Sequence, residues 1–408
     1  FNIYALTGGI LTAIGIAFWI AVGVFDVSFG GKAEVPSVGI LMMENLGKED
    51  EEFWSSGMTN DLITKVAGAG LIRVAPLKEI LNLDKELSIE EIAKKLRVKY
   101  ILTHSFLIKD DSFDLWCKLE NIETGVALFS NKISEKMDMT TQMVGKLAND
   151  IITSLKVKTK QDIMKVPTNN ADAYKYYLQG KYKFEKGKTL ADTEIARDLL
   201  QKAIEIDDEL ISAKILLADT YIKYHDHNKA MEIYKKTLNQ SEKLDDKRNI
   251  AIVIRKMGVI YFRRNHDYNK ALDYFKRSLE LSMLIDDKSL ISTALNNIGA
   301  TYGIQNNEDK RIEYYTRALQ VAEDIGDKDN IALITNNIGD VYYDKGDIDT
   351  ALDYYQRSLV IFEELGNKAG MGYSLDAIGT VHSNKDDVDT ALDYYERSLV
   401  IREELGDK

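Results

Sequence analysis

The chain has 408 residues, 53 of them Lys or Arg and 65 Asp or Glu, for a formal net charge of −12 at pH 7. That balance excludes the basic footprint of a nucleic-acid-binding protein, and the single cysteine, Cys117, excludes an intrachain disulfide. With only three prolines, most of the chain can run in long helices.

The opening stretch, FNIYALTGGILTAIGIAFWIAVGVF, carries no charged residue from Phe1 to Phe25. About 20 apolar residues cross the ~30 Å core of a bilayer. Residues 3–24 therefore read as a transmembrane helix, within a first segment at 1–27. A signal peptide is the competing reading, but it needs a basic flank before a shorter apolar core, and no Lys or Arg precedes this run. Asp26, Lys32 and Glu34, the first charges downstream, give no positive-inside bias.

From Pro36 the pattern changes. SVGILMM reads as a buried strand, and Met58, Leu62, Ile63 and Val66 give the next segment a helical period. LIRVAP reads as a second strand closed by Pro76. Ser88, with Glu91 three residues on, forms a capping box at the start of SIEEIAKKLRV. YILTHSFLIK, FDLWCKLENI and VALFSNKIS read as three strands joined by the turns KDDS and ETG. A helix from about Thr140 to Leu155 completes a small α/β domain with a mixed sheet over 36–157. It holds no phosphate loop, metal spacing or nucleophile elbow. His104 and Cys117 read as packed side chains, and Asp110, Asp111 and Asp114 as turn residues.

The landmarks Glu44-Asn45-Leu46, Phe53/Gly57/Leu62, Leu71-Ile72-Arg73-Val74 and Glu123-Thr124-Gly125 resemble the TolB amino-terminal-like domain of bacterial signalling proteins. The resemblance implies that fold for residues 36–157. His104 stands where that family often has Gly, and Phe129 where it often has Trp, so no ligand contact is carried over.

The carboxyl half repeats itself. ALDYYQRSLVIFEELGNK at Ala351 returns as ALDYYERSLVIREELGDK at Ala391. A glycine recurs at Gly258, Gly299, Gly339 and Gly379, at intervals of 41, 40 and 40 residues. Such a period, with two helical segments per unit, indicates a helical solenoid. The phasing resembles tetratricopeptide repeats: Ile338, Gly339 and Tyr342 fall on a first helix, and Ala351, Tyr355 and Ser358 on a second. Small residues let paired helices approach, and the tyrosines fill the gap to the next pair. Six repeats are expected at 171–206, 211–245, 250–287, 291–327, 331–367 and 371–407, in an all-α solenoid over 168–408. Arg311 replaces an Ala, and His382 a Tyr, which predicts looser packing at both. The last repeat ends at GDK without a polar cap, so the array is expected to continue or to pack on something else.

Candidate ligands are few. His225 and His227 lie in a turn without a third metal ligand. Asp344, Asp347 and Asp349 lack the Gly and distal Glu of a calcium loop. No catalytic, metal or cofactor site is expected. The better candidate is the inner face of the first helices: Arg255, Phe262, Asn296, Asn336, Asp340, Tyr343, Asp376 and Ser383. Asn side chains on successive repeats can clamp the backbone of a protein or peptide partner from both sides.

The join ADAYKYYLQGKYKFEKGKTLADTEIARDLLQKAIEID resembles the first repeats behind a TolB amino-terminal-like domain in a recurrent bacterial architecture. There the effector comes first: a class III adenylate/guanylate cyclase, a serine/threonine kinase or a winged-helix regulator. FNIYAL is similar to the last strand of class III cyclase domains. The resemblance implies a bacterial inner-membrane protein with a single pass, residues 28–408 in the periplasm, and a possible homodimer. These residues would then regulate an upstream cyclase without catalysing anything themselves. A tethered scaffold without signalling output is the alternative.

Overall fold

The structure, a computed structural model, describes residues 35–70, 72–84, 86–159 and 163–405. The expected membrane helix at 3–24 lies outside those residues, as does Leu71 of the expected second strand. Among the described residues no helix is long and apolar enough to cross a membrane. Even the apolar-rich helix Ile211–Lys223 carries Lys214, Asp219 and Lys223, as a helix with one face in water does. The expected architecture is therefore corrected, among the described residues, to a small mixed-sheet domain followed by a helical solenoid, none of whose helices is long and apolar enough to cross a membrane. A single-pass inner-membrane protein with residues 28–408 in the periplasm is not supported.

Residues 36–408 make one compact unit. The sheet comprises β1 (Ser37–Ile40), β2 (Glu44–Asn45), β3 (Arg73–Val74), β4 (Tyr100–Lys109), β5 (Ser112–Asn121) and β6 (Val126–Lys136). Its order is β3-β1-β4-β5-β6, with β2 also on β4. The β1 pairs are parallel and β4–β5–β6 is an antiparallel meander with His104 opposite Cys117. The helices are α1 (Glu52–Ala67), α2 (Leu77–Leu81), α3 (Ile89–Leu96) and α4 (Thr140–Ser154). Ser88 Oγ accepts the Glu91 N–H at 3.2 Å and the Glu91 carboxylate accepts the Ser88 N–H at 2.8 Å, so the capping box forms as its sequence predicts.

The alternating Phe113, Leu115, Cys117 and Leu119 of β5 enter the main core with Trp54 of α1 and Leu147 of α4. That core runs on into Tyr174, Leu178 and Leu200 of the solenoid. Gly57 of α1 lies against Leu178 so closely that a Cβ there would collide with it. Tyr174 donates to Asp61 of α1 at 2.7 Å, and Lys181 Nζ lies 3.5 Å from the same carboxylate.

The solenoid holds six helix pairs among the described residues: α5 (Ala171–Lys186) with α6 (Leu190–Ile206), α7 (Ile211–Lys223) with α8 (His227–Lys243), and α9 (Lys247–Ile260) with α10 (Tyr268–Leu284). They continue as α11 (Lys288–Ile304) with α12 (Glu308–Ile325), α13 (Lys328–Asp344) with α14 (Ile348–Glu364), and α15 (Lys368–Asn384) with α16 (Val388–Leu405). Each repeated glycine faces a repeated ring. A Cβ on Gly258, Gly299 or Gly339 would come within 2.7 Å of Phe275, Tyr315 or Tyr355, a contact no side chain tolerates without movement. A buried serine on the second helix then ties three of the pairs. Ser278, Ser358 and Ser398 donate to the carbonyls of Ala251, Ala332 and Gly372 at 2.9, 2.8 and 3.1 Å.

The turns repeat at half that period. Asp226, Asp246, Asp267, Asp287, Asn307, Asp327, Asp347 and Asn367 each cap a helix by accepting a backbone N–H. A residue in the left-handed region precedes most of them, as at His225, Asp286, Asn306, Gly326, Gly346 and Gly366. Seven of these eight cap N–H groups bond a carbonyl five residues back, as Asp347 does to Tyr342 at 2.9 Å, which is the wider bond of a Schellman motif. Asp267 alone reaches six residues back, to Tyr261. There α9 ends in a π-helical turn, Tyr261–Asn265, which absorbs the extra residue of the 41-residue interval.

Candidate partner-binding groove

Successive first helices (α7, α9, α11, α13, α15) approach one another more closely than successive second helices do. The first helices therefore form the inner layer. Measured from each repeat's glycine, the uncovered face of a first helix lies six, three and two residues before it and one and four after. In α13 these are Leu333, Asn336, Asn337, Asp340 and Tyr343; in α15 they are Tyr373, Asp376, Ala377, Thr380 and Ser383. The burial pattern of 331–340 is the same, residue by residue, as that of 371–380. Leu333 is 44% exposed and Tyr373 68% exposed on this face.

Much of the face is already joined across repeats. Lys256 Nζ pairs with both oxygens of Asp219 at 2.9 and 2.8 Å, and Tyr234 donates to the same carboxylate. Asn337 Nδ2 donates to Asn296 Oδ1 at 2.9 Å, and Ser374 Oγ to Asn336 Oδ1 at 3.0 Å. Asn384 donates to the Tyr343 hydroxyl, and Arg402 pairs with Asp376. Tyr355 donates to Asp340 at 2.8 Å. Burial raises the Asp340 carboxyl above its ordinary value against the opposing effect of that bond, and burial beside Asp340 raises Tyr355 well above the usual phenol range.

The eight residues read from the sequence thus fall in different situations. Asn296, Asn336, Asp340, Tyr343 and Asp376 all lie on the inner face and are bonded there. Arg255 lies on it half-buried. Phe262 sits in the π turn with its ring edge-on to Tyr268, 5.5 Å between centroids. Ser383 is exposed near the end of α15. The sequence reading missed Lys256, Asn297 and Asn337, two residues before each glycine, and Leu333 and Tyr373, six before. The signal was present: the same 40-residue period applied at the next positions of a helical face.

The sheet domain borders one edge of this face. Lys78 of α2 pairs with Asp329 at 2.7 Å, Lys328 pairs with Glu79 at 2.8 Å, and Asn82 Nδ2 donates to the Leu365 carbonyl at 2.7 Å. Lys165 of the linker pairs with Asp246 at 3.0 Å. Between α1, the linker and the turns before α7 and α9 lies a cleft of about 900 Å³, with Asp61, Lys181, Ser212 and Arg248 on its walls.

His104 and Cys117 are buried packing groups, as their strands predict. Burial lowers His104 to about 4 and raises the Cys117 thiol to about 11. The rings of His225 and His227 stand 6.1 Å apart in a turn, and among the described residues no three His, Cys, Asp or Glu side chains cluster to hold a metal.

The tetratricopeptide repeat family model matches residues 209–283, 250–324, 290–364 and 330–404. No curated protein matches the chain. Among solved structures the chain is similar to the apo form of RapI, at 14% identity and TM-score 0.48, over 65% of this chain and 92% of that one. It is similar to a Rap protein complexed with competence and sporulation factor, at 16% identity and TM-score 0.44, over 66% and 84%. It is also similar to a signal transduction ATPase with a tetratricopeptide repeat sensor from Pyrococcus horikoshii, at 20% identity and TM-score 0.46, over 66% of this chain and 45% of that one. The stretch 209–404, with its glycine-against-ring packing and its inner layer of first helices, is a tetratricopeptide repeat array.

Proposed function

We propose that the array is a protein-interaction region that holds an extended peptide segment of a partner protein along the first helices. One observation carries this reading. Leu333 and Tyr373, 40 residues apart, leave large apolar side chains exposed at equivalent places on the inner face. Exposed apolar groups in register beside polar side chains mark a binding surface more than a solvated one. Repeats that present the same face at a fixed interval suit a chain that presents side chains at a fixed interval.

The test is an array of short random peptides probed with the wild type and with Tyr373→Ala. Because Tyr373 is mostly exposed, the substitution leaves the fold intact, and a groove contact predicts a loss of about tenfold or more for most bound peptides. Equal binding by both proteins removes the inner face as the site.

Regulation of an upstream adenylate/guanylate cyclase, in a homodimer, is the finer form of this proposal. It rests on the resemblance of residues 36–157 to the TolB amino-terminal-like domain and of FNIYAL to a cyclase strand. Cyclic nucleotide output that does not respond to a groove-binding peptide would leave the scaffold reading in its place.

A further inference from the structure

In an up-and-down stack of helix pairs, every turn inside a pair lies on one edge and every turn between pairs on the other. The sheet domain and the linker meet the edge between pairs, where Lys165, Lys78 and Asn82 reach Asp246, Asp329 and Leu365. The turns inside the pairs form the opposite edge, and contacts link each of them to the next. Lys223 Nζ of the second pair donates to the Gly187 carbonyl of the first at 3.3 Å. Burial, and then the charge of Arg264 in the third pair, lower the pKa of His227 in the second. Gln305 Nε2 of the fourth pair donates to Asn269 Oδ1 of the third at 3.1 Å. Asp344 and Asp349 of the fifth pair meet Arg311 of the fourth and Lys385 of the sixth, both at 2.6 Å. The edge is one continuous strip.

The strip changes sign along its length. The first turn carries Lys186 and Lys188, and the third Arg263 and Arg264, all exposed. The fifth carries Asp344, Asp347 and Asp349, and the sixth Asp386, Asp387 and Asp389, again all exposed. Lys345 and Lys385 do not cancel these acids, and Asp226 and Asp267 do not cancel the basic groups of the second and third turns. Large apolar side chains also stand on the strip. Leu190 in the first turn is 49% exposed and Val388 in the sixth 61% exposed, each as the first residue of its second helix. Ile304 in the fourth turn is 51% exposed.

A strip that is positive at one end and negative at the other repels a copy laid in the same direction and complements one turned end for end. We propose that this edge is a self-association surface, on which two copies of the chain lie antiparallel about a two-fold axis between the third and fourth pairs. Such an isologous contact sets the first turn against the sixth of the other copy and the second against the fifth. The basic third turn then faces the fourth, where Glu308 and Asp309 stand. Leu190 of each copy comes against Val388 of the other, and Ile304 lies beside the axis. The apolar contacts supply attraction that exposed ion pairs alone do not, and the charges fix direction and register. The inner face of the first helices is not part of this edge, so the proposal stands whatever that face binds.

The test is cross-linking of the full chain with a short bis-maleimide. Cys117, the one native thiol, is buried, so the reagent reports on cysteines introduced at the exposed ends of the strip. Leu190→Cys protein alone and Val388→Cys protein alone should give little dimer, and a mixture of the two at least about tenfold more. Lys186→Glu with Lys188→Glu in both proteins should lower the mixed yield about tenfold. Adding Asp386→Lys with Asp389→Lys to the same chains should restore it, because the two-fold axis brings the reversed ends together. Cross-linking within either single-cysteine protein at the yield of the mixture means another arrangement and overturns the proposal, as does a charge reversal that is not restored. No cross-link in any mixture also overturns it and leaves the edge to a partner of another kind.

Discussion

His104 shows how one side chain converts burial into pH dependence. Its Nε2 bonds the Leu41 carbonyl at 2.7 Å, while Nδ1 is buried with no partner. Protonation would place a charge and a second donor where nothing accepts it, so burial lowers His104 from 6.5 to about 4. The unfolded chain therefore takes up a proton first as the pH falls. Stability from this group is whole above about pH 6.5 and is lost progressively down to about pH 4. The shift corresponds to about 3 kcal/mol. His104→Gln keeps a donor for Leu41 and removes the titration. Urea denaturation of both proteins across that range should show the wild type losing about 3 kcal/mol more than the variant, and parallel profiles would disprove the assignment. Other single residues show where reading one position at a time failed. Arg311 in place of Ala predicts loose packing, but its stem fills the space beside Gly303 and its guanidinium pairs with Asp344 at 2.6 Å. His382 in place of Tyr stacks on Tyr394 at 5.7 Å much as Tyr342 stacks on Tyr354 at 5.4 Å. In both cases a second residue makes room or supplies a flat partner, and single-position patterning does not see it.

At the scale of the element, the repeat was legible because helix length and turn chemistry follow one period. Helix, left-handed residue and capping Asp or Asn recur every 20 residues or so, and the alternation of glycine-bearing and ring-bearing helices doubles that to 40. The single interval of 41 signalled an insertion, but only the backbone bond from Asp267 to Tyr261 shows that a π turn takes it up. The groove was half legible for the same reason: the positions three before the glycine were read, and the positions two before were not. The π turn makes a sharp prediction. Deleting Arg264, which is exposed within it, returns the distance from Gly258 to the Asp267 cap to the eight residues that separate Gly339 from Asp347. Stability should change by less than about 1 kcal/mol, because the ordinary Schellman bond replaces the longer one. Deleting Lys345, equally exposed in the corresponding turn of the fifth repeat, misplaces both the left-handed residue and the cap and should cost about 2 kcal/mol or more. Thermal unfolding of the two deletions side by side decides it; equal losses would mean that the π turn is not where the insertion is absorbed.

At the scale of the whole molecule, the solenoid is held against the sheet domain at two places far apart in sequence. The first repeat shares the sheet domain's core and the Asp61 cluster, while the fifth helix pair meets α2 and its cap at the start of α13 and in the turn after α14. No repeat period or strand pattern announced the second contact, because it joins residues more than 250 positions apart in sequence. Its signature lies in three glycines with one conformation and different surroundings. Gly326, Gly346 and Gly366 all have positive φ, at 65°, 78° and 59°. A Cβ on Gly346 would meet nothing within 4 Å, whereas one on Gly326 would strike the Arg73 side chain and one on Gly366 the Asn82 amide. The turns that lead into a new repeat therefore need glycine twice over, once for the backbone and once to admit the sheet domain. Gly346→Ala isolates the first need and should cost about 1 kcal/mol, the penalty of a side chain in the left-handed region. Gly326→Ala carries the same backbone penalty and in addition pushes Arg73 away from the fifth repeat. It should therefore raise amide hydrogen exchange at the start of α13 and at α2, where Gly346→Ala leaves exchange unchanged. The comparison separates docking from turn strain, because both variants pay the strain and only one breaks the contact. If the two exchange maps match, the sheet domain does not brace the far repeats, and the inner face between α9 and α15 is held in register by the repeats alone.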